Sequence, residues 1–282
     1  MTWLKKQDSI LACLGERKVK ILSLMTLKID PYEFIGRHIF IEGIYEEGMT
    51  RLFQTLISRG ECVLDIGANI GYYSILASRL VGAKGQVIAY EANPQIAEQL
   101  RLNAIENSCK NVSIYKVAVS DYCGNVSFFV AGHENKGLSS MRDLGGEAEQ
   151  KIKLPCITID SMLARIPKAS LVKIDVEGAE LLVLKGMKEL ISRDRPSIVF
   201  EATETFFRQM GYGLEDVEDF FRERSYGLYE IRGAGVKSIN TIPRNQVHII
   251  AIYTGEKEST HKKCTFAEIA KLTNSSSEKG LS

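Results

Sequence analysis

The stretch LVKIDVEGAE, residues 171–180, places three carboxylates where a buried strand runs out. Leu171, Val172, Ile174 and Val176 are apolar; Asp175, Glu177 and Glu180 interrupt them, with Gly178 between the last two. A carboxylate at the edge of a core costs on the order of several kcal/mol unless it is paired, hydrated or used. At such a strand tip it suits proton abstraction from a hydroxyl, or the orienting of one. Asp175 is the first candidate for that base and Glu177 the second, the latter also suited to holding an acceptor or the amino-acid end of a cofactor. Gly178 permits the turn into the next helix, and Glu180 reads as a first-turn charge favoured by the helix dipole. Lys173 alternates with Asp175, so both project to one face, and a Lys173–carboxylate pair would keep the acid ionised.

A second acid-bearing turn is DIGANIG, residues 65–71. Gly67 lets the backbone turn tightly and a ligand approach it, and Gly71 opens the following helix. The dinucleotide pattern G-x-G-x-x-G would need glycine at 69, where Asn69 stands, so a pyrophosphate-bearing nicotinamide or flavin cofactor is disfavoured. Asp65 would repel a phosphate but attract an ammonium group. Glu91 ends the next strand, 24 residues after Gly67, where an acid accepts hydrogen bonds from both hydroxyls of a ribose. Asp121, beside Ser120 after a third strand, is placed to accept from the exocyclic amine of a purine. An amino-acid ammonium, an unphosphorylated ribose and a purine together describe S-adenosylmethionine. Its expected contacts are Asp65, Gly67, Ala68, Asn69, Gly71, Glu91, Ala92, Ser120, Asp121 and Asp175.

Glu201 ends a fifth strand at the same mouth, suited to a sugar hydroxyl or to pairing with Arg208. The loop AGHENKGLSSM, residues 131–141, is rich in small and polar groups, as loops that close over substrates are. His133 is a candidate to share proton transfer, against a solvated loop histidine; Asn135, Ser139 and Ser140 are candidate acceptor contacts. His38 and His248 sit among apolar residues and read as core or strand-end histidines. Asp175, Glu177 and Glu201 are hard oxygen donors of the kind magnesium takes. No local spacing demands a metal, and none is expected.

The elements that must position these groups alternate. Strands are expected at 61–68, 85–92, 111–119, 171–176 and 196–203, separated by amphipathic helices at 69–82, 94–107 and 179–193. Pro94 falls in a first helical turn, where its missing N–H does no harm. Residues 125–131 and 153–159 read as an inserted hairpin, and 226–231 and 246–253 as adjacent closing strands. Alternation of this kind implies a parallel sheet covered on both faces, with an antiparallel strand at one edge.

Composition sets outer bounds. The 282 residues carry a net charge of +1, so bulk electrostatic binding to nucleic acid or an anionic membrane is not expected. The six cysteines are scattered with no zinc spacing, which fits reduced thiols in a cytoplasmic protein. Residues 21–29 are too short and interrupted to span a bilayer and read as an amphipathic helix capping the domain.

VLDIGANIGYYS, YEANP, VAVSD, the KGLSS loop and above all VKIDVEGAELLVLKG resemble the FkbM family of S-adenosylmethionine-dependent methyltransferases. The resemblance covers residues 42–253. It implies a class I, Rossmann-like methyltransferase sandwich: a seven-stranded, mostly parallel sheet with its last strand antiparallel and helices on both faces. It also implies methyl transfer to oxygen, often on a sugar or secondary metabolite, with Asp175, Glu177 and Gly178 as the active-site motif. Residues 1–41 are then an N-terminal helical cap or extension, and 254–282 a polar tail. The alternatives are a dehydrogenase on a similar sheet and a non-catalytic binding module. Neither the identity of the acceptor nor the oligomeric state is readable from the sequence.

Overall fold

The computed structural model describes residues 11, 13–132, 137–143, 148–233 and 235–255. The chain enters through an antiparallel hairpin of β1 (Arg17–Ile21) and β2 (Met25–Ile29). This corrects the expected helix over 21–29. Val19, Ile21, Met25, Leu27 and Ile29 alternate with polar residues at period two, and Leu22 and Ser23 take the left-handed conformation that closes a tight turn (φ 51° and 56°). The hairpin is stapled to the helix Pro94–Glu106. Asn107 Oδ1 accepts from the Thr26 N–H at 2.9 Å, and Asn103 Oδ1 from the Lys28 N–H at 2.8 Å. Four helical residues rise about 6 Å and two strand residues about 6.6 Å, so the two asparagines match alternate N–H groups of β2.

The main sheet is built from β3 (Cys62–Ile66), β4 (Gln86–Tyr90) and β5 (Val112–Tyr115). A small sheet of β6 (Ala118–Val119), β7 (Gly124–Ala131) and β8 (Ala148–Ile157) stands apart, its β7–β8 pair being the inserted hairpin that the sequence suggested. The main sheet resumes with β9 (Ala169–Ile174), β10 (Ser197–Ala202), β11 (Tyr226–Arg232), β12 (Gly235–Ile239) and β13 (Val247–Tyr253). Its order is β12-β11-β13-β10-β9-β3-β4-β5. The run from β10 to β5 is parallel, and β13 is antiparallel to β10. That is the doubly wound, class I arrangement expected, with β12 added as an eighth strand at the edge.

Every residue of β3 is buried, as a central strand covered on both faces requires. One core lies against the helices after β9 and β10, around Ile174, Leu184 and Phe221. The other joins the hairpin to the sheet, around Leu27, Ile39, Phe53 and Ile75. Among the described residues no helix is long and apolar enough to cross a membrane. The consequence for function is positional: the hairpin packs on the helix Pro94–Glu106, and residues of the segment 33–47 line a cavity together with residues after β3, β4, β9 and β10.

Candidate active site

A cavity of about 480 Å³ opens at those strand ends. Its floor is made by the turns after β3, β4 and β9, one wall by Val117–Val119, Phe128 and Met141, and its roof by residues 33–47.

The turn after β3 fits against the turn after β9. Gly67 has φ +78°, and a Cβ there would stand 1.7 Å from the Asp175 carbonyl oxygen, so no other residue fits. The Gly67 and Ala68 N–H groups both donate to the Tyr90 carbonyl. Asn69 turns left-handed, φ 49°, and its N–H reaches Glu91 Oε2 at 2.8 Å, while Oε1 accepts from the Asn93 N–H at 2.8 Å. Both Glu91 oxygens are thus oriented by backbone, and the residue still lines the cavity. Burial pushes its pKa up to about 7 against those two hydrogen bonds. Beside it, Ile96, Val117, Val119, Phe128 and Met141 form an apolar slot.

The turn after β9 carries the acids. Glu180 is 1% exposed, and its carboxylate accepts the Val176 and Gly178 N–H groups, each at 3.0 Å. It is therefore a buried clasp that shapes its own turn, not a surface charge answering the helix dipole; burial pushes it up to about 8. The clasp holds Glu177 at φ +56° and Gly178 at φ +107°. A Cβ at Gly178 would stand 3.0 Å from the Phe206 Cβ and 3.2 Å from its carbonyl oxygen, so the glycine also lets Phe206 pack on the turn. Asp175, Glu177 and, from the end of β10, Glu201 each bring one carboxylate oxygen to within 4.8 Å of the others. Burial first, then repulsion from Asp175, raises Glu177 well above its usual range and Glu201 to about 7. Glu201 accepts from the Thr203 hydroxyl at 3.0 Å and from the Gln246 amide, and Arg208 is instead bound to Glu204 and Glu215.

Lys173 lies beneath this group, 3% exposed, with its Nζ 3.1 Å from Asp175 and 3.6 Å from Asp65. Burial opposes its charge, but the two acids win and raise its pKa. Asp65 and Lys173 are register partners on adjacent parallel strands, which is why they meet.

Several expected contacts are corrected by this packing. Asp65 is 1% exposed and does not line the cavity; it accepts from the Ser74 hydroxyl at 2.6 Å and faces Lys173, so it is not free to attract a ligand ammonium. Ala68 packs against Leu100, and Gly71 caps the helix Tyr72–Val81; neither lines the cavity. Ser120 is fully buried and Asp121 is exposed, both outside it, because Ser120 binds the Ile157 carbonyl and packs on Gly186. Gly67, Asn69, Glu91, Ala92, Ser139, Asp175, Glu177 and Glu201 do line it. Ser140 is buried in a bridge to Phe129 and stays outside it. His133 and Asn135 lie outside the described residues.

The roof contributes what the sequence reading missed. Glu46, left-handed at φ 43°, accepts from Tyr73 at 2.7 Å and faces His248 Nε2 at 3.3 Å. Burial works against the Glu46 charge, yet His248, Tyr73 and Lys173 together hold its pKa below the usual carboxylate value. His248 is cross-strand partner to Glu201, so it is a strand-end histidine with a charged partner. Phe34, His38 and Tyr45 form an aromatic run along the same roof, with ring centroids 4.4 and 6.3 Å apart. The sequence marked His248 only as a core or strand-end histidine among apolar residues; nothing in it linked that residue to residue 46.

The donor set fits the cofactor that the sequence suggested. Glu91 presents oriented oxygens for vicinal hydroxyls, the slot beside it suits a flat base, and the acids beyond suit cationic groups. Comparison with known proteins agrees. The family model described as the methyltransferase FkbM domain matches residues 65–228. The chain is 28% identical over 144 residues to the hexuronic acid methyltransferase AglP of Haloferax volcanii, covering 50% of this chain and 56% of that protein. It is 29% identical over 157 residues to a probable cobalt-precorrin-6B C(15)-methyltransferase (decarboxylating) of Sulfolobus acidocaldarius, covering 50% and 79%. The crystal structure of a methyltransferase FkbM from Methylobacillus flagellatus KT superposes with TM-score 0.48 at 17% identity, covering 71% of this chain and 47% of that one. The chain thus spans little more than half the length of the first of these relatives.

Proposed function

The chain belongs to the FkbM methyltransferase family, and from that premise we propose that it moves a methyl group from S-adenosylmethionine to a hydroxyl of a small, sugar-type acceptor. The observation that carries the reading is the continuity of one cavity, from Glu91 and the apolar slot to Asp175, Glu177 and Glu201. The curated relative that acts on a hexuronic acid supports a sugar-type acceptor. Asn69 at the place of a pyrophosphate-binding glycine argues against a dehydrogenase.

The cofactor, when bound, supplies an electrophilic methyl group on a sulfonium. The protein's part is to align, deprotonate and exclude water, and alignment alone is worth on the order of several kcal/mol. Glu91, Asn69 and the apolar slot hold the nucleoside. Asp175, set at the tip of β9 with Lys173 Nζ 3.1 Å from one oxygen, accepts the hydrogen bond of the acceptor hydroxyl and takes its proton. Glu177 and Glu201 accept hydrogen bonds from neighbouring polar groups of the acceptor. Phe206 and the aromatic roof keep water from the site.

Two measurements test this. Titration with S-adenosylhomocysteine should show binding, and NAD should not bind. Small-molecule extracts incubated with isotopically labelled S-adenosylmethionine should then yield labelled methyl ethers by mass spectrometry. Binding of NAD in place of S-adenosylhomocysteine would overturn the reading.

A further inference from the structure

Among the described residues the charges around the acceptor end of the cavity do not balance. Asp175 and Asp65 share one ammonium, Lys173. Glu46 has His248. Among the described residues Glu177 and Glu201 form no direct ion pair, His248 and Arg142 acting on them only from further off, and Glu42 and Glu47 add carboxylates at the rim, with Arg51 bound to Glu47 on the exposed helix surface. Arg142 lies behind Phe206, its guanidinium 4.0 Å from the ring centroid, and is held by the Gln209 side chain and the Glu177 carbonyl. Among the described residues neither a lysine nor an arginine lines the cavity. Aromatic residues line the cavity with the acids: Tyr45 lies close enough to feel Asp175 and Glu201, Phe206 packs on the Gly178 turn, and Phe34 lines the same cavity. Carboxylates beside aromatic faces attract a cation by charge and by the ring quadrupole together.

Resting on the methyltransferase reading, we propose that the acceptor is a hydroxylated amine, an amino-sugar-like molecule whose ammonium group sits between Glu177, Glu201 and the aromatic wall. An anionic sugar is disfavoured at the same place by like-charge repulsion. A divalent ion is the other cation that such acids invite. It fits less well, because Lys173 already holds an Asp175 oxygen at 3.1 Å, and the Thr203 hydroxyl and Gln246 amide both donate to Glu201 Oε1. Magnesium demands near-octahedral oxygen geometry and tolerates such competing donors poorly. An ammonium group needs only acceptors, and its hydrogen bonds adapt to those that remain.

The test uses the full chain saturated with S-adenosylhomocysteine, whose binding is measured first, so failure of the cofactor reading is seen separately. Three monosaccharides are then titrated by calorimetry: glucosamine, N-acetylglucosamine and galacturonate. Glucosamine should bind at least about tenfold more tightly than its acetylated form, the scale of one charge-assisted hydrogen bond, and galacturonate should bind weakest. The preference should shrink in 1 M salt and fall about tenfold in Glu201→Gln. Unchanged S-adenosylhomocysteine affinity in Glu201→Gln would show that the variant is folded. Glu42→Gln, at the exposed rim, should reduce the preference less. Absence of any preference for the amine, equal or tighter binding of galacturonate, or magnesium binding that abolishes the preference would each overturn the proposal.

Discussion

The two ends of the cavity treat carboxylates in opposite ways. At the cofactor end, Glu91 gives each oxygen one backbone N–H from its own neighbourhood, Asn69 and Asn93, and an apolar slot adjoins it. At the acceptor end, Asp175, Glu177 and Glu201 come from two strand ends and crowd within 4.8 Å of one another, with one lysine beneath. The first is a preformed, satisfied acceptor for neutral hydroxyls. The second is an electrostatically strained cluster that a bound ligand relieves. A fixed cofactor needs the former; reactive chemistry and discrimination between acceptors use the latter.

The largest expected effect is on chemistry. Asp175→Asn should lower kcat by roughly 10²–10⁴, the usual contribution of a general base, with S-adenosylhomocysteine affinity little changed. If single-turnover rates survive that change, the two ends do not divide the work as described. Next in size is Glu91→Gln, which keeps one acceptor oxygen but loses the charge. It should weaken S-adenosylhomocysteine binding by about 10- to 100-fold by calorimetry, leaving the rate at saturating cofactor mostly intact.

A smaller effect concerns pH. Glu91, Glu201 and Glu180 have folded-state pKa values raised to about 7, 7 and 8 from an ordinary 4.5. A raised value means that the folded chain binds the proton more tightly than the unfolded one. The stability from these groups is full below about 4.5 and is lost as pH rises through about 7 to 8. The melting temperature of the ligand-free chain should therefore fall across that window, and Glu180→Gln should flatten the fall by a few °C. A profile that rises over the same window would contradict the burial assigned to these acids. The smallest effect is expected outside the cavity. Arg51→Ala removes an exposed pair with Glu47 and should change stability by less than about 0.5 kcal/mol in urea denaturation; a large effect would mean that the rim charges are part of the fold.

Much of the fold was legible because its signals are local. Apolar runs of strand length, Pro94 in a first helical turn and the alternation of strands and helices pointed to the parallel core. The acids at 91, 175, 177 and 201 were legible because a carboxylate at the end of an apolar strand has few other uses. Asp65 misled for the same reason: from sequence it looks like its counterparts, but its register partner across the sheet is Lys173. The N-terminal hairpin misled because a short run such as KVKILSLMTLKI satisfies either period until something pairs with it; here its own second strand and the Asn103–Asn107 staple decide.

What the sequence determined by itself is therefore the set of strand tips and the chemical types found there, since both follow from contacts between near neighbours in the chain. The tertiary structure alone decided which acids face the cavity, which are tied down beneath it, and that residues 33–47 roof it, with Glu46 paired to His248. Those outcomes depend on strand order and register. They bring residues 46 and 248, or 65 and 173, to within hydrogen-bonding or ion-pairing range, and no pattern along the chain records such a distance.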